Sequence, residues 1–153
     1  MTHFSASSHG EGIMAASKKS KIIIAIGKRK KSVARAIISE GKGVVRINSI
    51  PLDLIQPRYR QMRIKEALIL AGDMAKNVNI SVNVSGGGVW GQADASRTAI
   101  ANAIVKWTKN DSLKQLYHDY DRSLLISDAR RTEPHKPSRS TAGPRRSKQQ
   151  SKR

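Results

Sequence analysis

The sequence predicts one small α+β domain followed by a basic tail that has no core of its own. Three observations carry that expectation. Val78, Ile80, Val82 and Val84 alternate with Asn79, Ser81, Asn83 and Ser85, the period-two pattern of a half-buried strand. Ile64, Ala67, Leu68 and Ala71, and later Ile100, Ala103, Ile104 and Trp107, recur at helical spacing. From Ala129 onward no hydrophobic side chain is larger than that of Ala142, and Pro134, Pro137 and Pro144 discourage helix. The chain thus divides into an N-terminal extension over 1–20, expected to be disordered, an α+β domain over 21–128, and an extended, disordered basic tail over 129–153.

Within the domain, Lys21 to Ile26 reads as a strand, apolar on both faces and therefore buried. Gly27-Lys28-Arg29-Lys30-Lys31 follows as a charged turn, and Ser32 to Ile38 as a second strand. Glu40-Gly41-Lys42-Gly43 reads as a hairpin turn leading into a third strand, Val44 to Ile47. Pro57 opens a helix over Arg58 to Ala71, with Gly72 as its stop. The alternating strand comes next, then the glycines Gly86 to Gly91 and a helix from about Asp94 to Trp107. A short helix covers Asp111 to Tyr120, with Asp111 as N-cap and Leu113, Leu116, Tyr117 and Tyr120 facing inward. Leu124-Leu125-Ile126 is expected to add one short strand.

Charge bounds the function. The chain of 153 residues carries 29 Lys and Arg against 11 Asp and Glu, a formal charge of +18. Such a chain repels itself unless it lies beside a polyanion, and nucleic acid is the commonest. A membrane surface is the rival, but neither a basic amphipathic helix nor a lipidation motif is present. The apolar run Ile22 to Ile26 is too short for a signal-peptide core or a bilayer span, so a cytoplasmic protein is expected. There is no cysteine, which excludes disulfides, thiolate metal sites and cysteine nucleophiles. His3, His9, His118 and His135 have no metal-ligand spacing, so no metal and no cofactor are expected.

Four stretches could carry chemistry. The tail cations Arg130, Arg131, Lys136, Arg139, Arg145, Arg146, Lys148, Lys152 and Arg153 meet a single acid, Glu133, and can follow phosphates, releasing counterions. The bland alternative is a solvated tail. Lys28, Arg29, Lys30 and Lys31, with Arg35, gather cations at one turn, where an anion between them would relieve their repulsion. An ordinary exposed hairpin tip is the alternative. Arg58, Arg60 and Arg63 lie near the positive end of a helix, which costs roughly 0.3–1 kcal/mol each when exposed. A solvated arginine face would carry that cost too. Gly86-x-Gly88-x-x-Gly91 after a strand and before a helix resembles a dinucleotide-binding turn, but no second strand ends in an acid at the required distance, and Gln92-Ala93 follows instead of a Walker lysine. A structural turn at Gly86, Gly87, Gly88 and Gly91 is the better reading, and no small-molecule substrate is expected. The few aromatic residues do not suggest a base-stacking platform.

Several motifs resemble a known family. Gly27-Lys28-Arg29-Lys30-Lys31-Ser32-Val33-Ala34-Arg35 looks like the opening motif of the ninth small-subunit ribosomal protein, and the run from Gly86-Gly87-Gly88-Val89-Trp90-Gly91-Gln92-Ala93-Asp94 through Ala95-Ser96-Arg97-Thr98-Ala99-Ile100-Ala101 looks like its central signature. Asp128 to Pro137 and the ending Ser151-Lys152-Arg153 match as well. The resemblance covers roughly Ile22 to Arg153, and Glu133-Pro134 and Lys136-Pro137 are more like archaeal and eukaryotic members. Asn102 stands where many members carry a basic residue. The resemblance implies a split β-α-β two-layer sandwich, like the second domain of the fifth small-subunit protein. It implies a structural, non-enzymatic role on small-subunit rRNA in the subunit head, beside other head proteins, with Arg97 among the rRNA contacts. It also implies that Lys152 and Arg153 approach the anticodon arm of the transfer RNA in the peptidyl site. Two alternatives are a free-standing RNA-binding or RNA-processing factor, and an enzyme using the glycine turn for a phosphate.

Overall fold

The computed structural model describes residues 21–132. The expectations for 1–20 and for the tail beyond Thr132 lie outside the described residues.

Five strands form one mixed sheet: β1 (Ile22–Arg29), β2 (Ser32–Glu40), β3 (Val45–Ile47), β4 (Ile50–Pro51) and β5 (Val78–Ser85), in the order β1-β2-β5-β3-β4. β2 pairs antiparallel with both β1 and β5, whereas β3 runs parallel to β5. The helices are α1 (Arg58–Ala71), the short α2 (Asp73–Lys76), α3 (Val89–Thr108) and α4 (Asp111–Tyr120), with single 3-10 turns at Leu52–Leu54 and Arg122–Leu124. The result is the two-layer α+β sandwich. Its crossover unit, β3-α1-β5, ends by inserting β5 between β2 and β3, so that these successive strands are split apart.

The alternation in β5 sends Val78, Ile80, Val82 and Val84 into the core, where they meet Ala34, Ala36 and Ile38 of β2. From the helical layer come Ile64 and Ala67 of α1 and Ile100, Ala103 and Ile104 of α3. Each fully buried isoleucine contributes about 1.5–3 kcal/mol. The long helix is alanine-rich where it crosses the sheet, so it lies close. A Cβ at Gly27 would sit 2.2 Å from the Ala95 carbonyl oxygen, which makes this glycine a requirement of the β1–α3 approach.

Several expectations are corrected. β1 is not buried on both faces: it is an edge strand whose helices cover one side, and Ile22, Ile24 and Ile26 are 59%, 43% and 54% exposed. The strand also runs on through Gly27, Lys28 and Arg29, so the turn is only Lys30 and Lys31. The segment after Glu40 is no hairpin turn. It steps over β5, held by Asn79, whose Oδ1 accepts the Lys42 and Val44 amides at 3.0 and 3.1 Å. Helix α3 starts at Val89 rather than Asp94, because Gly88 already supplies the extended N-cap geometry. Asn110, not Asp111, caps α4, accepting from the Ser112 amide at 2.9 Å. Leu113 and Tyr117 face inward, but Leu116 and Tyr120 are exposed, since α4 buries only the stripe that touches α1 and α3. Leu124 lies in a 3-10 turn, not a strand, and is fully buried. Helix α1, its glycine stop and the β5 strand agree with the sequence pattern; β4 and α2 are too short to have left one. No described helix is long and apolar enough to cross a membrane.

Candidate nucleic-acid interface

The β1–β2 hairpin is built on the glycine loop. Ser32, fully buried, donates its hydroxyl to the Gly86 carbonyl at 2.9 Å. Gly86 and Gly87 have φ of 75° and 65°, and a Cβ on Gly87 would lie 2.2 Å from Ser32 Oγ. Gly91, inside α3, also packs on that hydroxyl; Gly88 meets no neighbour and has an ordinary extended backbone. The hollow that a nucleotide fingerprint would offer to a phosphate is filled by the hairpin. Gly87→Ala is expected to lower stability by about 1–3 kcal/mol, through left-handed strain and overpacking. Thermal unfolding measures this, and titration with ATP or NAD should stay flat. Saturable nucleotide binding abolished by the substitution would reverse the reading.

The root of the tail returns to the same hairpin. Asp128 accepts the Arg130 amide at 2.8 Å and the Arg130 guanidinium at 2.6 Å, and pairs with Arg29 Nη1 at 2.6 Å. The hydrogen bonds from Arg130, reinforced by the charge of Arg29, hold the Asp128 carboxyl down at about 2. Arg131 donates to the Lys30 carbonyl. Arg131 therefore lies against the hairpin tip, where Lys28, Lys30 and Lys31 are all exposed.

Arginine and carboxylate alternate through the layer behind. Arg63 bonds Asp94 and Glu66, each at 3.0 Å, and Arg29 Nε lies 3.7 Å from Asp94. Arg97 is 1% exposed; it donates to Glu66, Asp121 and the Ser123 hydroxyl. Burial alone would push the Asp121 carboxyl up, but the Arg97 and Ser123 hydrogen bonds outweigh it and hold the group at about 2. Glu66 is lowered for the same reason: burial opposes, and hydrogen bonds from Arg97 and Tyr120 prevail. Among the described residues no group of histidines and carboxylates could hold a metal ion.

The Ribosomal protein S9/S16 family model matches residues 27–153. The chain belongs to that family. It is similar to the small ribosomal subunit protein uS9 of Methanococcus maripaludis strain C7, 49% identical over 131 residues, covering 86% of this chain and 98% of that protein. The uS9 of Methanococcus vannielii is 48% identical over the same length and shares. That of Methanothrix thermoacetophila is 47% identical over 116 residues, 76% of this chain and 88% of its own. These relatives are archaeal, as the Glu133-Pro134 and Lys136-Pro137 steps suggest.

In this ribosomal protein the cations expected to touch RNA sort into two groups. Lys28, Lys30, Lys31, Arg35 and Arg58 are exposed and have no acidic partner among the described residues; Arg131 is exposed beside them. Arg29 and Arg63 are half-buried in ion pairs, and Arg60 bonds Gln92 Oε1 at 3.3 Å. Arg97 stands apart from both: its side chain is buried and donates to Glu66, Asp121 and Ser123, which ties α1, α3 and the Asp121 turn together. Asn102 likewise donates to the Leu125 carbonyl at 3.0 Å. Lys136, Arg139, Arg145, Arg146, Lys148, Lys152 and Arg153 lie outside the described residues. Two features escaped the sequence reading. Arg46 is exposed on β3, visible in hindsight as the polar member of Val45-Arg46-Ile47. Tyr59 and Trp90 stack at 4.5 Å while 42% and 58% exposed, a pairing across 31 positions that no local pattern signals.

Proposed function

We propose that this chain is a structural, non-enzymatic component of the small ribosomal subunit. It binds small-subunit rRNA in the subunit head, beside other head proteins, and is ribosome-bound in the cytoplasm. Its tail follows the rRNA, and Lys152 and Arg153 approach the anticodon arm of peptidyl-site transfer RNA. Family membership supports the subunit. The observation that carries the RNA interface is the convergence of the hairpin cations with the root of the tail, joined by Asp128 and the Lys30 carbonyl. Two basic segments a hundred residues apart become one cationic surface, while Glu66, Asp94, Asp121 and Asp128 are engaged by arginines.

Converting Lys28, Lys30 and Lys31 to Ser tests this surface while leaving Arg29 to hold Asp128. The slope of log affinity for small-subunit rRNA against log salt is expected to shrink by about 0.7–0.9 per lost contact, about 2–3 in all. A slope identical to that of the unmodified protein would place the hairpin in solvent.

A further inference from the structure

All the described helices cover one face of the sheet, and none of the described residues packs over the other. On it the outward row of β5 is Ser81, Asn83 and Ser85, all exposed, and their side chains make no hydrogen bond to other described residues. Register places Arg35 of β2 opposite Asn83 and Arg46 of β3 opposite Ser81. Both arginines are exposed. Strand spacing and rise put their Cα atoms about 12 Å apart, on either side of the polar row. Acidic side chains are absent from the outward positions of this part of the face.

The composition is unusual for a strand. Asn is a poor strand former, and solvent alone would be met as well by Thr. Hydroxyl and amide groups can both donate and accept, which is what a ribose 2′-hydroxyl requires of a partner. A-form RNA displays those hydroxyls across a wide, shallow minor groove bordered by phosphates, and guanidinium groups suit the phosphates. We propose that the bare face along β5, between Arg35 and Arg46, docks in the minor groove of helical RNA, with Ser81, Asn83 and Ser85 on 2′-hydroxyls. This rests on the rRNA-binding function proposed above and adds to it a means of distinguishing RNA from DNA. The neighbouring aliphatic strip of Ile24, Ile26 and Ile37 has no such polar capacity and is not part of the proposed contact.

The test uses the full chain with a blunt 16-base-pair RNA duplex and the DNA duplex of the same sequence. The unmodified protein should prefer RNA. The variant S81A/N83A/S85A should lose about ten-fold in RNA affinity, with DNA affinity and salt slope unchanged. Circular dichroism checks that the fold survives. Should it not, R35Q/R46Q provides a second test, with a salt slope on RNA lower by about 1.4–1.8. The hairpin lysine variant, by contrast, should weaken RNA and DNA together and keep their ratio, so a failure of the general RNA interface is distinguishable from a failure of this face. Equal affinity of the unmodified protein for the two duplexes would overturn the proposal, as would an unchanged RNA-to-DNA ratio in a folded triple variant. So would a folded triple variant that binds RNA normally yet is lost from salt-washed subunits, the result expected of a protein partner.

Discussion

Replacing Arg97 by Met is expected to destabilise the folded domain by about 3–5 kcal/mol, because Asp121 loses the charge that balances it and Glu66 keeps only Arg63 and the Tyr120 hydroxyl. For a domain of this size that lowers the melting temperature by roughly 10–20 °C. The methionine fills most of the space, so the loss reports the charge rather than a cavity. Adding Glu66→Gln and Asp121→Asn should recover part of it. The pH profile has a definite sign. The folded-state pKa values of Asp121, about 2, and of Glu66 are depressed, so their contribution is present above the unfolded carboxylate range near 4 and is lost as pH falls toward 2. Melting curves of the unmodified protein and of Arg97→Met should therefore lie far apart at pH 7 and converge toward pH 2. A loss below about 1 kcal/mol at neutral pH would mean that Arg97 is dispensable to the fold and would return it to the pool of RNA contacts.

Removing the chain from Ala129 onward is expected to abolish stable incorporation into small subunits. The deleted stretch carries nine Lys and Arg against one acid. Losing six to ten phosphate contacts is comparable to the whole salt-sensitive part of binding, a factor of about 10³–10⁵ between 50 and 200 mM salt. Deleting only Lys152 and Arg153 should leave occupancy intact and instead speed dissociation of peptidyl-site transfer RNA, since a charge-assisted contact contributes roughly 1.5–3 kcal/mol. Two measurements on each truncation decide the matter: occupancy in salt-washed subunits, and transfer RNA dissociation from programmed subunits. Equal losses of occupancy in both truncations would show that the tail does not divide its work along its length.

Local periodicity made much of the fold legible. The alternation in β5, the stripe of α1 with its glycine stop, and the limits of α4 follow from residues within a few positions of one another. What periodicity could not show was pairing. The insertion of β5 between β2 and β3 depends on a crossover through α1, and an isoleucine-rich edge strand reads like a strand buried on both sides. The site was legible in the same degree. The lysines at the hairpin tip stood out because an uncompensated charge run is local. The ion pairs of Arg97 were not legible because its carboxylates, Glu66 and Asp121, lie 31 and 24 positions away. An arginine on a helix looks the same in sequence whether it meets a phosphate or a buried carboxylate.

The clamp of Arg29, Asp128 and Arg130, with Arg131 on the Lys30 carbonyl, also has a kinetic consequence. It fixes the root of the tail, Arg130 and Arg131, against the hairpin. Twenty-one residues, Glu133 to Arg153, reach at most about 70 Å from that point. On the function proposed above, any contact that this stretch makes after the domain has docked would be an intramolecular event at an effective concentration in the millimolar range, set by chain length rather than by the amount of free protein. Capture by the hairpin would thus come first and at a rate proportional to concentration, and threading of the tail second and independent of it. Asp128→Asn weakens the hold on Arg29 and Arg130 without removing a cation, so it should slow the second phase and spare the first.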